Sequence, residues 1–353
     1  MRLLKPSKGL IGVDITSATV KLLELKPTAG NYEVASYAVR PLRDGAVVER
    51  RIQDIDDVAS VLSRAVEHAR PSTRKAAVAV PASATITKTL SFPLELSEED
   101  IEERIIEDPE RHIPFPFNEV AFDFQLLGPS PFNEDEQQVL LVACRQQDVR
   151  QLTETLEKAG LEPEAVDVET FAVERAFDSL RRQLTTKGEA SACVALVDIG
   201  AHMNAFHVMR EGHIVYSRDT VFGGRQLTDA IRERYDLSME EAGFAKKRGG
   251  LPEDYHAEVL TPFLETVVQQ VGRSLQLYYT AGRHHEVKEI VLAGGSSVIP
   301  GLAERIAEDS GMTVTIANPF QHMLVSKRLK KDALSNDAPA MLTACGLAMR
   351  AGQ

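Results

Sequence analysis

The sequence predicts an α/β fold in which one lobe is built twice, and three observations carry that expectation. An apolar strand ending on Val-Asp-Ile occurs at 13–15 and again at 197–199, each time followed by small and hydroxyl residues and a second strand. Each of these hairpins is followed by an amphipathic helix and then a buried strand that runs out into small residues. A chain of 353 residues also exceeds what one hydrophobic core usually organises, so two lobes are the natural division.

In the first half, Leu10-Ile11-Gly12-Val13-Asp14-Ile15 reads as a buried strand, and Thr16-Ser17-Ala18-Thr19 as its turn. Apolar alternation over 20–25 gives the return strand, and a turn at 27–31 leads to another strand over 32–39. Helix 56–68 then precedes strand 76–80 and Pro81-Ala82-Ser83. In the second half, strand 194–199 is followed by strand 205–209, a turn at Glu211-Gly212 and strand 213–217. Helix 261–281 then precedes strand 289–293, Gly294-Gly295-Ser296-Ser297 and a helix over 299–310. Each half carries an insertion. Residues 86–166 hold a helix over 96–111, strands 120–126 and 138–144, and a helix over 148–159; residues 225–255 are charged and mostly helical. The expected division is therefore a first lobe from 1–85 and 167–190, with an inserted subdomain at 86–166. The second lobe comprises 191–224 and 256–353, with a helical insertion at 225–255.

Composition narrows the function. Apolar residues make up 43% and charged residues 26%, which suits packed cores under a solvated surface. No apolar run reaches the roughly 18 to 20 residues that span a bilayer, and no signal-peptide core follows the basic residues at the start, so a cytoplasmic location is expected. A net charge of −12 opposes a nucleic-acid surface. The three cysteines, Cys144, Cys193 and Cys345, are scattered in apolar settings and read as buried thiols. The histidines His202, His207 and His213 are not at ligand spacings, and His284-His285 has no ligand cluster around it.

A hairpin turn of small residues brings backbone N–H groups and hydroxyls within reach of phosphate oxygens. Two such hairpins facing each other would clamp a triphosphate. Asp14 and Asp198, closing the two first strands, are suited to holding Mg²⁺ through water. Thr16, Ser17 and Thr19 offer donors on one side, Gly200 and Ala201 on the other, and Lys21 adds a point charge. Gly294-Gly295-Ser296 allows a flat ligand to approach the backbone, adenine or an α-phosphate. Gly223-Gly224 opens the second insertion in the same manner. The expected cofactors are ATP and Mg²⁺.

These residues, in this order, resemble the superfamily of actin, Hsp70 and sugar-kinase ATPases: two lobes around a nucleotide cleft. Within it the chain is similar to the type IV pilus assembly PilM family, relatives of the bacterial division protein FtsA. The resemblance is carried by Gly12-Val13-Asp14-Ile15, Ile113-Pro114-Phe115-Pro116, Val166-Asp167-Val168-Glu169 and Val197-Asp198-Ile199-Gly200-Ala201. Phe222-Gly223-Gly224-Arg225-Gln226-Leu227, Glu240-Glu241-Ala242-Gly243, Lys246-Lys247, Val291-Leu292-Ala293-Gly294-Gly295 and the terminal Gly346-Leu347-Ala348 extend it. It implies a 1C-type inserted subdomain and an ATP-binding scaffold of the pilus machine, peripheral to the inner membrane through protein partners. It further implies that the chain binds the N-terminal cytoplasmic tail of an inner-membrane PilN-like protein and other components of the machine, and self-associates.

The sequence departs from the superfamily pattern at three places. Thr16 stands where the first hairpin usually has Gly. His202, Met203 and Asn204 stand where relatives carry hydroxyls, leaving Asn204 as a donor. Gly243 replaces an acidic residue of chaperone-like members, with Lys246 or Lys247 available beside the base. Hydrolysis needs a group that positions water; Glu169 is the nearest candidate, and its plainer reading is a helix N-terminal charge. A small-molecule kinase or phosphatase and an FtsA-like filament protein are the competing functions. Ile113, Phe115 and Phe117 read either as filling the insertion's core or as one wall of a groove for a partner peptide.

Overall fold

The computed structural model describes residues 9–186, 189, 191–282 and 285–352. The reading of the first eight residues, and that of His284, fall outside them. Strands β1 (Leu10–Ile15), β2 (Thr19–Thr28) and β3 (Asn31–Pro41) form an antiparallel meander, followed by the short hairpin β4 (Val47–Val48) and β5 (Arg51–Ile52). Helix α1 (Ile55–Ala69) buries Val58, Val61, Leu62, Ala65 and Val66, a stripe at helical spacing. It leads into β6 (Lys75–Val80), which pairs in parallel with β1.

The inserted subdomain begins at β7 (Thr85–Pro93), a strand not among the elements expected over 86–166. Helices α2 (Glu98–Glu107) and α3 (Pro109–His112) follow. The single helix expected over 96–111 is broken at Asp108, because Pro109 disfavours a helical conformation in the residue before it. Strands β8 (Val120–Pro129) and β9 (Glu136–Arg145) complete a three-stranded sheet in the order β7-β9-β8.

Helix α4 (Gln146–Lys158), expected inside the insertion, belongs to the first lobe, as does β10 (Glu162–Val168), which straddles the expected boundary at 166. Leu152 and Leu156 of α4 share the core of α1, and β10 pairs with β6. Helix α5 (Glu169–Leu180) then crosses to the second lobe.

The second lobe repeats the plan. β11 (Cys193–Ile199), β12 (Asn204–Arg210) and β13 (His213–Thr220) form a meander. Helices α6 (Gly224–Tyr235) and α7 (Met239–Arg248) follow; Ser238 and Glu241 close a capping box on α7. Helix α8 (Thr261–Thr280), β14 (Val287–Ala293), α9 (Leu302–Ser310) and β15 (Thr313–Ile316) follow. The main sheets read β10-β6-β1-β2-β3-β16 and β15-β14-β11-β12-β13, so both place a meander beside two parallel strands. The duplication read from Val-Asp-Ile is therefore one of topology.

The chain does not stay in the second lobe to its end. Strand β16 (Leu324–Val325) joins the first sheet beside β3, and after α10 (Lys331–Asp337) helix α11 (Leu342–Ala348) packs on β1 and α5. A Cβ at Gly12 would strike the Ala344 carbonyl, so only glycine lets α11 lie that close to β1. A core containing Leu23, Val173, Leu196, Val291 and Cys345 thus joins the lobes.

Candidate functional site

The β1–β2 and β11–β12 turns face each other, and Ser17 Oγ lies 2.8 Å from His202 Nδ1 across them. Behind this contact stand the two aspartates that end the first strands. Lys21, opposite Asp14 in the β1–β2 register, places Nζ 2.8 Å from Asp14 Oδ2, and both side chains are only 12% exposed. Glu169, the first residue of α5, reaches the same floor and pairs with Arg50 from the β4–β5 turn. Arg50 Nη2 also lies 3.9 Å from Asp219 Oδ2 on β13. Four carboxylates and two cations therefore share one partly buried floor between the lobes.

Their electrostatics follow from crowding. Burial raises Glu169 to about 7; Arg50 opposes the shift, while Asp14, Asp198 and Asp219 add to it. Burial raises Asp198 as well, against the pull of Lys21 and with the push of Asp14. Burial works against the charge on Lys21, yet Asp14, Asp198 and Glu169 outweigh it and hold the amine above its ordinary value. This floor has an excess of negative charge, which suits a divalent cation. Among the described residues no group of three or more His, Cys, Asp or Glu is arranged to hold a metal ion directly. The donor set thus fits Mg²⁺ held through water by Asp14 and Asp198 and not caged by side chains.

The remaining expected residues divide into those the fold brings together and those it uses otherwise. Thr16 spends its hydroxyl on the turn: Oγ1 donates to the Thr19 carbonyl at 3.0 Å and accepts from the Thr19 N–H at 3.1 Å. The Ala18 N–H also points to it at 3.4 Å. That side chain braces the hairpin from within. Asn204 is buried at the start of β12, and among the described residues its Oδ1 has no hydrogen-bond partner.

The second-lobe glycines converge. The Gly200 carbonyl accepts from the Gly224 N–H at 3.0 Å and from Ser296 Oγ at 3.0 Å, and the Ala201 carbonyl accepts from the Arg225 N–H at 2.8 Å. Gly223 brackets the same loop with the α6 N-terminus. Gly294, at φ +85°, takes a left-handed turn where a Cβ would strike Asp198 Oδ1, and Gly295 beside it faces open space. Lys246 Nζ donates to the Gly224 carbonyl at 2.8 Å and to Thr228 Oγ1 at 2.7 Å; burial lowers it to about 8, with Lys247 and Arg225 adding. Lys247 is exposed and acts electrostatically on Asp337 instead.

Arg50 and Asp219 escaped the sequence reading, since a turn arginine and a strand-end aspartate carry no motif. Glu169 is a helix N-terminal charge as expected, and a member of the floor as well. His207 is buried against Ser217 Oγ at 3.0 Å and lowered by burial to about 4, and His213 Nδ1 lies 3.5 Å from Glu174. In the insertion, Ile113 is 1% exposed within the core of Ile101, Ile105 and Leu141. The prolines of this segment point outward, whereas Phe115 lies under the Arg145 guanidinium and Phe117 against Phe122. The core-filling reading holds for Ile113, and Phe115, partly buried, packs against the same core.

Residues 12–352 match the family described as type IV pilus assembly protein PilM. The chain belongs to that family. A solved PilM–PilN type IV pilus biogenesis complex superposes with a TM-score of 0.78 at 26% identity, over 99% of this chain and 100% of that one. MreB 5 of Spiroplasma citri, solved bound to AMPPNP, superposes at 0.51 with 13% identity over 96% and 95% of the two chains, which shows the shared fold alone. The ethanolamine utilization protein EutJ of Escherichia coli K12 is 31% identical over 160 residues, 44% of this chain and 49% of that protein. The match thus spans about half the length of that curated relative. This PilM-family chain has the actin-like ATPase fold. Among its described residues no helix is long and apolar enough to cross a membrane.

Proposed function

We propose that this chain is an ATP-binding scaffold of the type IV pilus machine that holds the N-terminal cytoplasmic tail of a PilN-like inner-membrane protein. The observation that carries the nucleotide half is the meeting of Asp14, Lys21 and Asp198 between two equivalent hairpins, beside Gly294 and the α6 N-terminus. On this reading Asp14 and Asp198 orient Mg²⁺ through water, and Ser17 and Lys21 meet phosphate. Gly200, Ala201, Gly223 and Gly224 close the second side, with Lys246, Gly295 and Ser296 beside the adenosine. The bound cation would neutralise the floor and the phosphates together. Turnover is slow on this reading, because Glu169, a carboxylate at the floor that could orient water, is engaged by Arg50.

The partner half is supported by family membership and by the likeness to a solved PilM–PilN complex. The inserted subdomain is the part that clamping a nucleotide does not require, so the tail is assigned to its junction with the first lobe. There it meets Phe115 and Phe117, while Ile113 supports them from the core. Peripheral attachment at the inner membrane follows from that partner. Fluorescence anisotropy of a labelled PilN-type tail, with charge substitutions placed on the insertion and on 225–255, tests this. Loss confined to the insertion supports the assignment; loss confined to 225–255 places the groove on the other lobe.

A further inference from the structure

Arg50 occupies an unusual backbone position. It is the second residue of the two-residue turn between β4 and β5, where Glu49 and Arg50 both have positive φ, 49° and 63°. Such turns favour Asn-Gly, because residues with a Cβ are strained there. Val47 and Ile52 on either side are buried in the first-lobe core, so the turn is held rigidly. What the strained turn delivers is a guanidinium at the cleft floor, 20% exposed, with Nη1 on Glu169 and Nη2 toward Asp219. Glu169 belongs to the first lobe and Asp219 to the second, so one planar fork spans the lobes in a way a lysine's single amine does not.

We propose that Arg50 is a positioning residue of the cleft, holding Glu169 and Asp219 together so that the lobes stand closed over the floor. The proposal rests on the nucleotide reading above for its consequence, which is that Arg50 sets how much of the protein is competent to bind. Besides Glu169 and Asp219, the charged group facing it is Asp198, with His207 behind; Asp14 and Lys21 lie beyond Asp198. Without Arg50, Glu169 and Asp219 lose the group that bridges them across the cleft, and the closed arrangement loses that tie between the lobes.

The three cysteines are buried, so spin labels can be directed to Glu67→Cys on α1 and Glu308→Cys on α9, both exposed. Pulsed dipolar spectroscopy then reads the distance between lobes. The nucleotide-free protein is expected to give one narrow distribution, Arg50→Ala a longer and broader one, and Arg50→Lys an intermediate. Mg-AMPPNP is expected to narrow the Arg50→Ala distribution and to bind it about tenfold more weakly, as a smaller closed fraction requires. Distributions of Arg50→Ala and Arg50→Lys that superpose on the parent overturn the proposal, whether or not nucleotide binds. Opening in these variants with no nucleotide bound by the parent supports the role of Arg50 and contradicts the nucleotide reading. Should Arg50→Ala fail to fold, Arg50→Lys and Arg50→Gln decide the matter by the same comparison.

Discussion

Ser17 and His202 lie 185 residues apart and meet with Oγ and Nδ1 2.8 Å from each other, joining the turns of two hairpins that belong to different lobes. A phosphate entering between those turns must exchange with this bond. Ser17→Ala is therefore expected to weaken Mg-ATP binding by roughly five- to tenfold and to lower stability by about 1 kcal/mol, the net worth of one hydrogen bond. Titration calorimetry and chemical denaturation read the two effects separately.

Glu169 gives a pH signature. Its carboxyl is raised to about 7 in the folded protein from an ordinary 4.5, so the folded state binds its proton more tightly than the unfolded state does. The resulting penalty is fully present above pH 7, shrinks as pH falls and is gone near pH 4. Glu169→Gln, which keeps a hydrogen-bonding side chain for Arg50, is expected to stabilise the fold by about 1–3 kcal/mol at pH 8 and not at pH 4. Urea unfolding at the two pH values checks this; an equal effect at both would contradict the assignment.

The return of α11 to the first lobe depends on close contact. A Cβ at Gly346 would collide with the Ala172 carbonyl on α5. Gly346→Ala is expected to cost about 1–3 kcal/mol, the usual penalty of overpacking. The unfolding midpoint in urea measures it.

In the insertion, Ile113→Ala is expected to destabilise by roughly 2–4 kcal/mol, since it empties a core position. Phe115→Ala and Phe117→Ala are expected to weaken the PilN-type tail by about tenfold at smaller cost to the fold. Anisotropy beside thermal unfolding separates the three.

The sequence made some of this legible and hid the rest for physical reasons. Asp14 and Asp198 stood out because a buried strand rarely ends on a carboxylate, and Val-Asp-Ile does so twice. The Gly223-Gly224 and Gly294-Gly295 pairs stood out because glycine marks close approach. Strand β7 was missed because its Thr-rich face is mostly exposed, and its pattern does not separate from loop. Helix α11 is buried on every side, so its periodicity names no partner, and its docking on β1 and α5 came only from the fold. Arg50 was illegible because its role depends on a turn conformation and on two acids more than a hundred residues away.

The most direct measurement is calorimetry of Mg-ATP binding to the full chain and to Asp14→Ala and Asp198→Ala, with and without a chelator of Mg²⁺. If Asp14 and Asp198 orient the cation between the hairpins, each substitution weakens binding at least tenfold, the chelator does the same to the parent, and circular dichroism is unchanged. Full affinity in both variants would contradict the placement of the nucleotide between the two hairpins.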